Sequence, residues 1–299
     1  MIDLSNRDQV FPVLHEGVLF LNHAGTSPIP RPTADVMQQQ IEEHATQFTT
    51  SRTVWSRRMS DAVTAMAELI GAPANSIALM PNTTTAVATV ANGLSLQEDD
   101  RVVGLEGEYP ANVYPWRSLV QNGVKYIQIP AHDNRFDYEE IESALSPPTR
   151  ALAVSSVMFA SGLRLDLTRL GEMCWKRNVY LFVDAIQSLG ALEMNVVESK
   201  IDFLATGSQK WMLGPMGAGF LYVRPEVLDC LQVTAHGADS MIPETPYLDY
   251  KGKRLKPGAR RFQGGTIALV TALGLGRSVR LLLDYGIADI QQRIQVLTD

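Results

Sequence analysis

Only two of the 299 residues are cysteine, Cys174 and Cys230, which excludes a disulfide framework. A reducing, cytoplasmic setting is the default that follows. Long apolar runs are also missing. None approaches the roughly 18 uncharged residues that a membrane helix needs. The opening Met1-Ile2-Asp3-Leu4-Ser5-Asn6-Arg7-Asp8 is too polar for a secretory signal. Positive charge is in deficit, with 26 Lys and Arg against 32 Asp and Glu. Without a basic stripe, nucleic acid is not an expected partner. The histidines, His15, His23, His44, His132 and His236, do not stand at metal-ligand spacing from another His, Cys or carboxylate, so a zinc enzyme is not expected. There is no G-x-S-x-G elbow, internal repeat or low-complexity tract.

The chain does carry a rhythm. Residues 36–70 have helical periodicity through Met59, Val63, Met66, Ala67 and Ile70, interrupted by the polar stretch Thr49-Thr50-Ser51-Arg52-Thr53. Short apolar runs then follow at 77–80, 101–105, 126–129, 151–157, 180–183, 203–205 and 219–223. Helical patterns separate several of them, at 85–94, 111–121, 138–145 and 167–177. Alternation of this kind predicts an α/β fold: three αβα layers around a mostly parallel seven-stranded sheet. Residues 231–256, with Pro243, Pro246 and Gly252, read as an extended loop, and helix returns over 267–297. The expected domains are an N-terminal segment (1–30), a large domain (31–260) and the start of a C-terminal region (261–299).

Sheets of this type place ligands beyond the carboxyl ends of their strands. Four elements lie there. Asp184 closes the run Tyr180-Leu181-Phe182-Val183, and Gln187 follows three residues later. It reads as a helix N-cap or turn former, or as a carboxylate that keeps a ring nitrogen protonated so the ring can accept electrons. Lys210 follows the run Phe203-Leu204-Ala205 and precedes Trp211, Met212 and Leu213. It is a solvated surface charge, or an amine made nucleophilic by apolar surroundings. Asn82-Thr83-Thr84-Thr85 opens an Ala/Val-rich helix, as capping residues or as an anion cradle, with Ser208 and Gln209 as further donors. Tyr109, near Tyr114 and Trp116, is a packing aromatic or a ring that stacks on a flat ligand.

Along the chain they come in the order threonine turn, aromatic, acid, lysine; with Leu21-Asn22-His23-Ala24-Gly25-Thr26 near the start, they resemble the class V aminotransferase family of fold type I pyridoxal 5′-phosphate (PLP) enzymes. That family includes cysteine desulfurases, kynureninases and isopenicillin N epimerase-like proteins, and the opening motif, Pro110–Trp116 and Lys210-Trp211 look closest to the epimerase-like branch. The resemblance implies PLP as cofactor and an amino acid as substrate. Lys210 would form the internal aldimine and act as base in α-carbanion chemistry. Asp184 would pair with the ring nitrogen and Gln187 with the ring oxygen. Thr83, Thr84, Ser208 and Gln209 would hold the phosphate, Tyr109 would stack on the ring, and Asn22 and His23 would lie near substrate. Thr266, in Arg261-Phe262-Gln263-Gly264-Gly265-Thr266, would reach the phosphate of a partner in a homodimer. Aminotransferase, epimerase and lyase outcomes all stay open.

Two departures qualify this expectation. The further small C-terminal domain of the family, which carries its substrate-clamping arginine and the mobile cysteine of desulfurases, does not follow Asp299. Arg277, Arg280 and Arg293 read as helix residues, and Cys174 and Cys230 as structural, so a persulfide mechanism is not expected. The alternative is a truncated or degenerate PLP-binding homologue with little or no turnover. A third reading, a nucleotide-binding oxidoreductase, rests on Gly217-Ala218-Gly219. It is weak because that motif leads into a strand and lacks the third glycine.

Overall fold

A computed structural model of the chain describes residues 7–243, 251 and 253–298, and of residues 48–50 the backbone only. Pro246 and Gly252, used in reading the 231–256 loop, lie outside the described residues. After the short α1 (Arg7–Val10) come α2 (Arg31–Thr46) and α3 (Phe48–Leu69). The alternating region follows: β1 (Ile77–Met80), α4 (Thr83–Gly93), β2 (Arg101–Leu105), α5 (Tyr114–Arg117), β3 (Lys125–Ile129), α6 (Tyr138–Ala144), β4 (Thr149–Ser155), α7 (Leu167–Arg177), β5 (Tyr180–Asp184), β6 (Phe203–Gly207) and β7 (Gly219–Val223). Two helices, α8 (Leu269–Tyr285) and α9 (Ile287–Thr298), close the chain.

The seven strands form one sheet in the order β1-β7-β6-β5-β4-β2-β3. Every pair is parallel except those of β7, which runs antiparallel to both β1 and β6. This is the three-layer, mostly parallel α/β architecture that the alternating runs predict. Strand residues alternate between two cores. Ile77, Leu79, Leu181 and Val183 pack toward α3, α6, α7 and α8, whereas Ala78, Met80 and Phe182 pack toward α4 and Trp116. Both faces of β1, β2 and β4–β7 are therefore buried, which is why those strands read as continuous apolar runs, whereas the edge strand β3 is largely exposed. A fully buried Phe182 or Phe203 contributes about 2–3 kcal/mol.

Three local expectations need correction. The polar stretch 49–53 does not interrupt a helix; it lies inside α3, and the break falls at Gln47 (φ −133°, ψ 24°). Residues 111–121 are not one helix. They form a 3-10 turn at Pro110–Asn112, the single turn of α5 and a second 3-10 turn at Ser118–Asn122, with Pro115 in α5. The terminal helical pattern is divided at Gly286 (φ 107°), which ends α8. No helix among the described residues is long and apolar enough to cross a membrane.

Candidate active site

The carboxyl ends of β1, β2, β4, β5 and β6 face one edge of the sheet, and the predicted residues gather there. Asp184, the last residue of β5, is only 2% exposed. Its Oδ1 accepts a hydrogen bond from the Ile186 amide at 3.0 Å. Burial pushes its pKa up to about 7; the Ile186 amide pulls down, Glu108 pushes up and Lys210 pulls down. Lys210, three residues past β6, is half-buried. Burial lowers its pKa, and the charge of Asp184 opposes that shift. Its Nζ lies 5.5 Å from the centroid of the Tyr109 ring. An acid and an amine, each disfavoured in its charged form by burial, thus stand within electrostatic reach of one another, with the amine over an aromatic ring.

Beside them, polar groups gather at the N-terminus of α4. The Asn82 side chain caps that helix by accepting from the Thr85 amide at 2.8 Å. That arrangement leaves the buried Thr83 Oγ1 without a protein partner. Gly207 shapes the same space: a Cβ there would come within 2.6 Å of Gln209 Oε1 and 3.1 Å of Thr83 Oγ1. Thr84 is exposed on the first turn. The fully buried Ser208 donates its hydroxyl to the Pro215 carbonyl, and its amide goes to Ala218 O at 2.9 Å.

Gln187 is held by protein on both sides of its carboxamide. Its Oε1 accepts from Trp211 Nε1 at 3.0 Å and its Nε2 donates to Ala24 O at 3.1 Å, leaving one amide hydrogen. Trp211 also stacks on His23, with centroids 5.4 Å apart and planes at 24°. Phe20 meets the other side of His23 edge-on at 5.1 Å. Burial lowers the pKa of His23. Asn22 is exposed and its Oδ1 accepts from the Gly25 amide at 3.0 Å. The Ser27 amide donates to Gln209 O at 2.8 Å, so the 22–27 segment is tied to the lysine loop.

Thr266 stands apart. It is exposed and lines a cavity of about 750 Å³ with Arg52, Lys256, Arg260 and Gln263, none of them a neighbour of Lys210 in the pocket just described. Arg277 and Arg280 line a different cavity, between α2, α3 and α8, where Arg280 bonds Glu68 at 2.8 Å. Arg293 is an exposed residue of α9. Cys174 is buried in α7, and burial pushes its thiol pKa up. The exposed Cys230 lies against Tyr180, at the opposite end of β5 from Asp184. Gly217-Ala218-Gly219 does lead into β7, and a Cβ on Gly219 would strike Thr206 O of β6.

Two residues that the sequence reading gave no role belong to this region. Glu108 is buried at 7% exposure, and Trp211 bridges His23 and Gln187. The signal for Glu108 was a carboxylate directly before the aromatic residue at a strand end; Trp211 was read only as an apolar flank of Lys210, and no spacing marked its contacts with His23 and Gln187.

Fold and site together define a mostly parallel-sheet architecture with a half-buried lysine and a buried acid just past the carboxyl ends of neighbouring strands. Residues 19–299 match the family model for aminotransferase class-V. The chain belongs to that family of PLP-dependent enzymes. It is 29% identical over 295 residues to a probable cysteine desulfurase of Methanothermobacter thermautotrophicus, covering 96% of this chain and 72% of that one. It is 28% identical to the uncharacterized aminotransferase YcbU of Bacillus subtilis, covering 97% and 75%. Among solved structures it resembles the apo cysteine desulfurase of Thermococcus onnurineus NA1. The TM-score there is 0.87 at 25% identity, covering 98% of this chain and 74% of that one.

Proposed function

We propose that this chain binds PLP through Lys210 and uses it to activate the α-carbon of an amino acid. The observation that carries the reading is Lys210, over the Tyr109 ring and within electrostatic reach of the buried Asp184. The residues present fit the cofactor. Thr83 Oγ1 is a buried donor without a partner, and a side chain at Gly207 would crowd both it and Gln209. Thr83, Thr84 and Gln209 would hold the phosphate at the positive end of α4. Ser208 would join them by turning its hydroxyl from Pro215. Asp184 would sit against the ring nitrogen, Gln187 would offer its remaining amide hydrogen to the ring oxygen, and Tyr109 would cover a ring face. Asn22 and His23 form the nearby wall for substrate, and Thr266 serves the phosphate site of a second copy in a homodimer.

When bound, PLP supplies an aldehyde that condenses with amines and a cationic ring that withdraws electrons. Asp184 in its ionised form keeps that ring cationic. Lys210, with its lowered pKa, has the uncharged amine needed to attack the aldehyde and, once released by substrate, to take the α-proton. Neither Cys174 nor Cys230 stands at this edge of the sheet, so the reading does not route sulfur through a thiol of this chain.

The test is the visible spectrum of the chain with PLP, borohydride reduction and peptide mapping. The expected outcome is a single pyridoxyl group on Lys210, absent in Lys210→Ala. A pyridoxyl group on another lysine overturns the reading. Amino acids, cysteine and alanine among them, are then added before reduction. A spectral change with product formation supports turnover; binding without change indicates the homologue with little or no turnover.

A further inference from the structure

We propose that Glu108 is a positioning residue for this site: its carboxyl group, bonded to Ser155, holds the Tyr109 ring over Lys210. The inference rests on the reading of Lys210 as the reactive amine. Glu108 leaves β2 on the same loop as Tyr109, and its side chain crosses to the end of β4. There the Ser155 amide donates to Oε1 and the Ser155 hydroxyl to Oε2, both at 2.5 Å. Ser155 is the Cα partner of Asp184 in the β4–β5 ladder. One carboxyl group therefore ties the loop that carries the aromatic ring to the strand beside the buried acid. A second tie acts further along the loop. Trp116 donates to Asn112 Oδ1 at 3.1 Å and packs edge-on against Phe182 of β5, at 5.3 Å between centroids.

A carboxyl group is an expensive way to fill this space. Burial opposes its charge, and a residue needed only for packing would be apolar. The chemical groups around Glu108 offset that cost. The Tyr109 amide and the Asn112 carboxamide also face it and favour its charged form. Asp184 from β5 and Tyr126 from β3 feel its charge, Lys210 follows β6 nearby, and Arg117 of α5 faces Tyr126. Glu108 thus organises the backbone of Tyr109 directly and reaches Asp184 through Ser155. Tyr109 itself is 47% exposed, so its own packing does little to fix the ring; Phe159, edge-on at 5.2 Å, is its aromatic neighbour.

The experiment measures acetylation of Lys210 by acetic anhydride in the cofactor-free chain, by peptide mapping, together with PLP affinity. Glu108→Ala is expected to label Lys210 at least about threefold faster and to weaken PLP binding about tenfold, because the ring leaves the amine. Glu108→Gln still accepts from the Ser155 amide and can donate to its hydroxyl, so both values should return to within about twofold of the parent. Tyr109→Ala should label like Glu108→Ala, and the double variant should add nothing further. If Glu108→Ala does not melt cooperatively, Ser155→Ala replaces it. That variant loses only the hydroxyl bond and should shift labelling in the same direction by a smaller factor. Unchanged labelling in the folded variant, or additive effects in the double variant, overturns the proposal. If the parent chain binds no PLP, the cofactor reading fails instead, and the labelling arms still decide the role of Glu108.

Discussion

Burial acts on Asp184 and Lys210 with opposite signs, raising the pKa of the acid and lowering that of the amine. The consequence for Asp184 is a stability cost that depends on pH. Its ordinary value is 3.8 and its value in the fold is about 7. Below about pH 4 folded and unfolded chains both hold the proton. Between about 4 and about 7 the folded form keeps a proton that the unfolded form has lost. The cofactor-free chain therefore loses stability as pH rises through that window, by on the order of 4 kcal/mol at full ionisation. Asp184→Asn, which keeps the acceptor for the Ile186 amide, should melt at a higher temperature than the parent above pH 7, with the gap closing toward pH 4. The same variant should bind PLP more weakly by at least about tenfold, since an amide cannot pair with a cationic nitrogen. Melts from pH 4 to 8 with and without PLP check both; a gap independent of pH would refute the assignment. Asp184 was legible because it closes an apolar run, and Lys210 because it sits three residues past β6, in the turn that ends the strand. Gln187 was legible as a neighbour of the site but its partners were not: Ala24 lies 163 residues away and Trp211 24 residues away, and no local pattern encodes such meetings.

At the scale of elements, period and composition read correctly where packing is two-sided and failed where it is not. Six of the seven strands were visible because both their faces are buried; the exposed edge strand β3 was visible from its short apolar run within the strand–helix alternation. The polar Thr49–Thr53 stretch looked like an interruption because α3 has polar residues through its first turns, and Trp55, Ala62 and Met66 do the packing further along. Its corner with α2 is fixed by Glu43, which accepts from Arg58 at 2.7 and 3.0 Å and from Trp55 at 2.9 Å; the Arg58 guanidinium leads in holding that carboxyl down at about 2. The helix layer depends equally on close approach. On α8, a Cβ at Gly276 would stand 2.7 Å from Ala62 Cα of α3 and closer still to Ala62 Cβ. Two residues on, Ser278 bonds Thr33 of α2 at 2.7 Å and donates to Leu213 O at 2.8 Å, three residues beyond Lys210. Gly276→Ala should therefore cost about 1–3 kcal/mol by overpacking, because backbone on α3 must yield. Urea unfolding at constant m-value measures it. An unchanged midpoint would show that α8 sits further from α3 than described.

For the molecule as a whole, the separation of Thr266 from the lysine pocket decides how many copies are needed to build one site. Thr266 opens on the cavity with Arg52, Lys256 and Arg260, whereas the proposed phosphate donors Thr83 and Gln209 gather beside Gly207. If Thr266 serves the phosphate of a second copy, Thr266→Ala should weaken PLP binding by about tenfold, the loss of a bond to a charged group. The stronger expectation concerns mixtures. Combine Lys210→Ala chains with Thr266→Ala chains and let subunits exchange. In a mixed dimer with the threonine acting across the interface, one site loses both residues and the other keeps both. A fraction of sites then regains full PLP affinity and borohydride labelling of Lys210, up to one site per mixed dimer. With the threonine acting within its own chain, every site lacks one residue and mixing restores nothing. Sedimentation confirms that the mixture is dimeric, and the labelled fraction at limiting PLP reads the outcome. Recovery supports a site shared between two chains; a mixture no better than its two components places Thr266 outside the phosphate site of a partner.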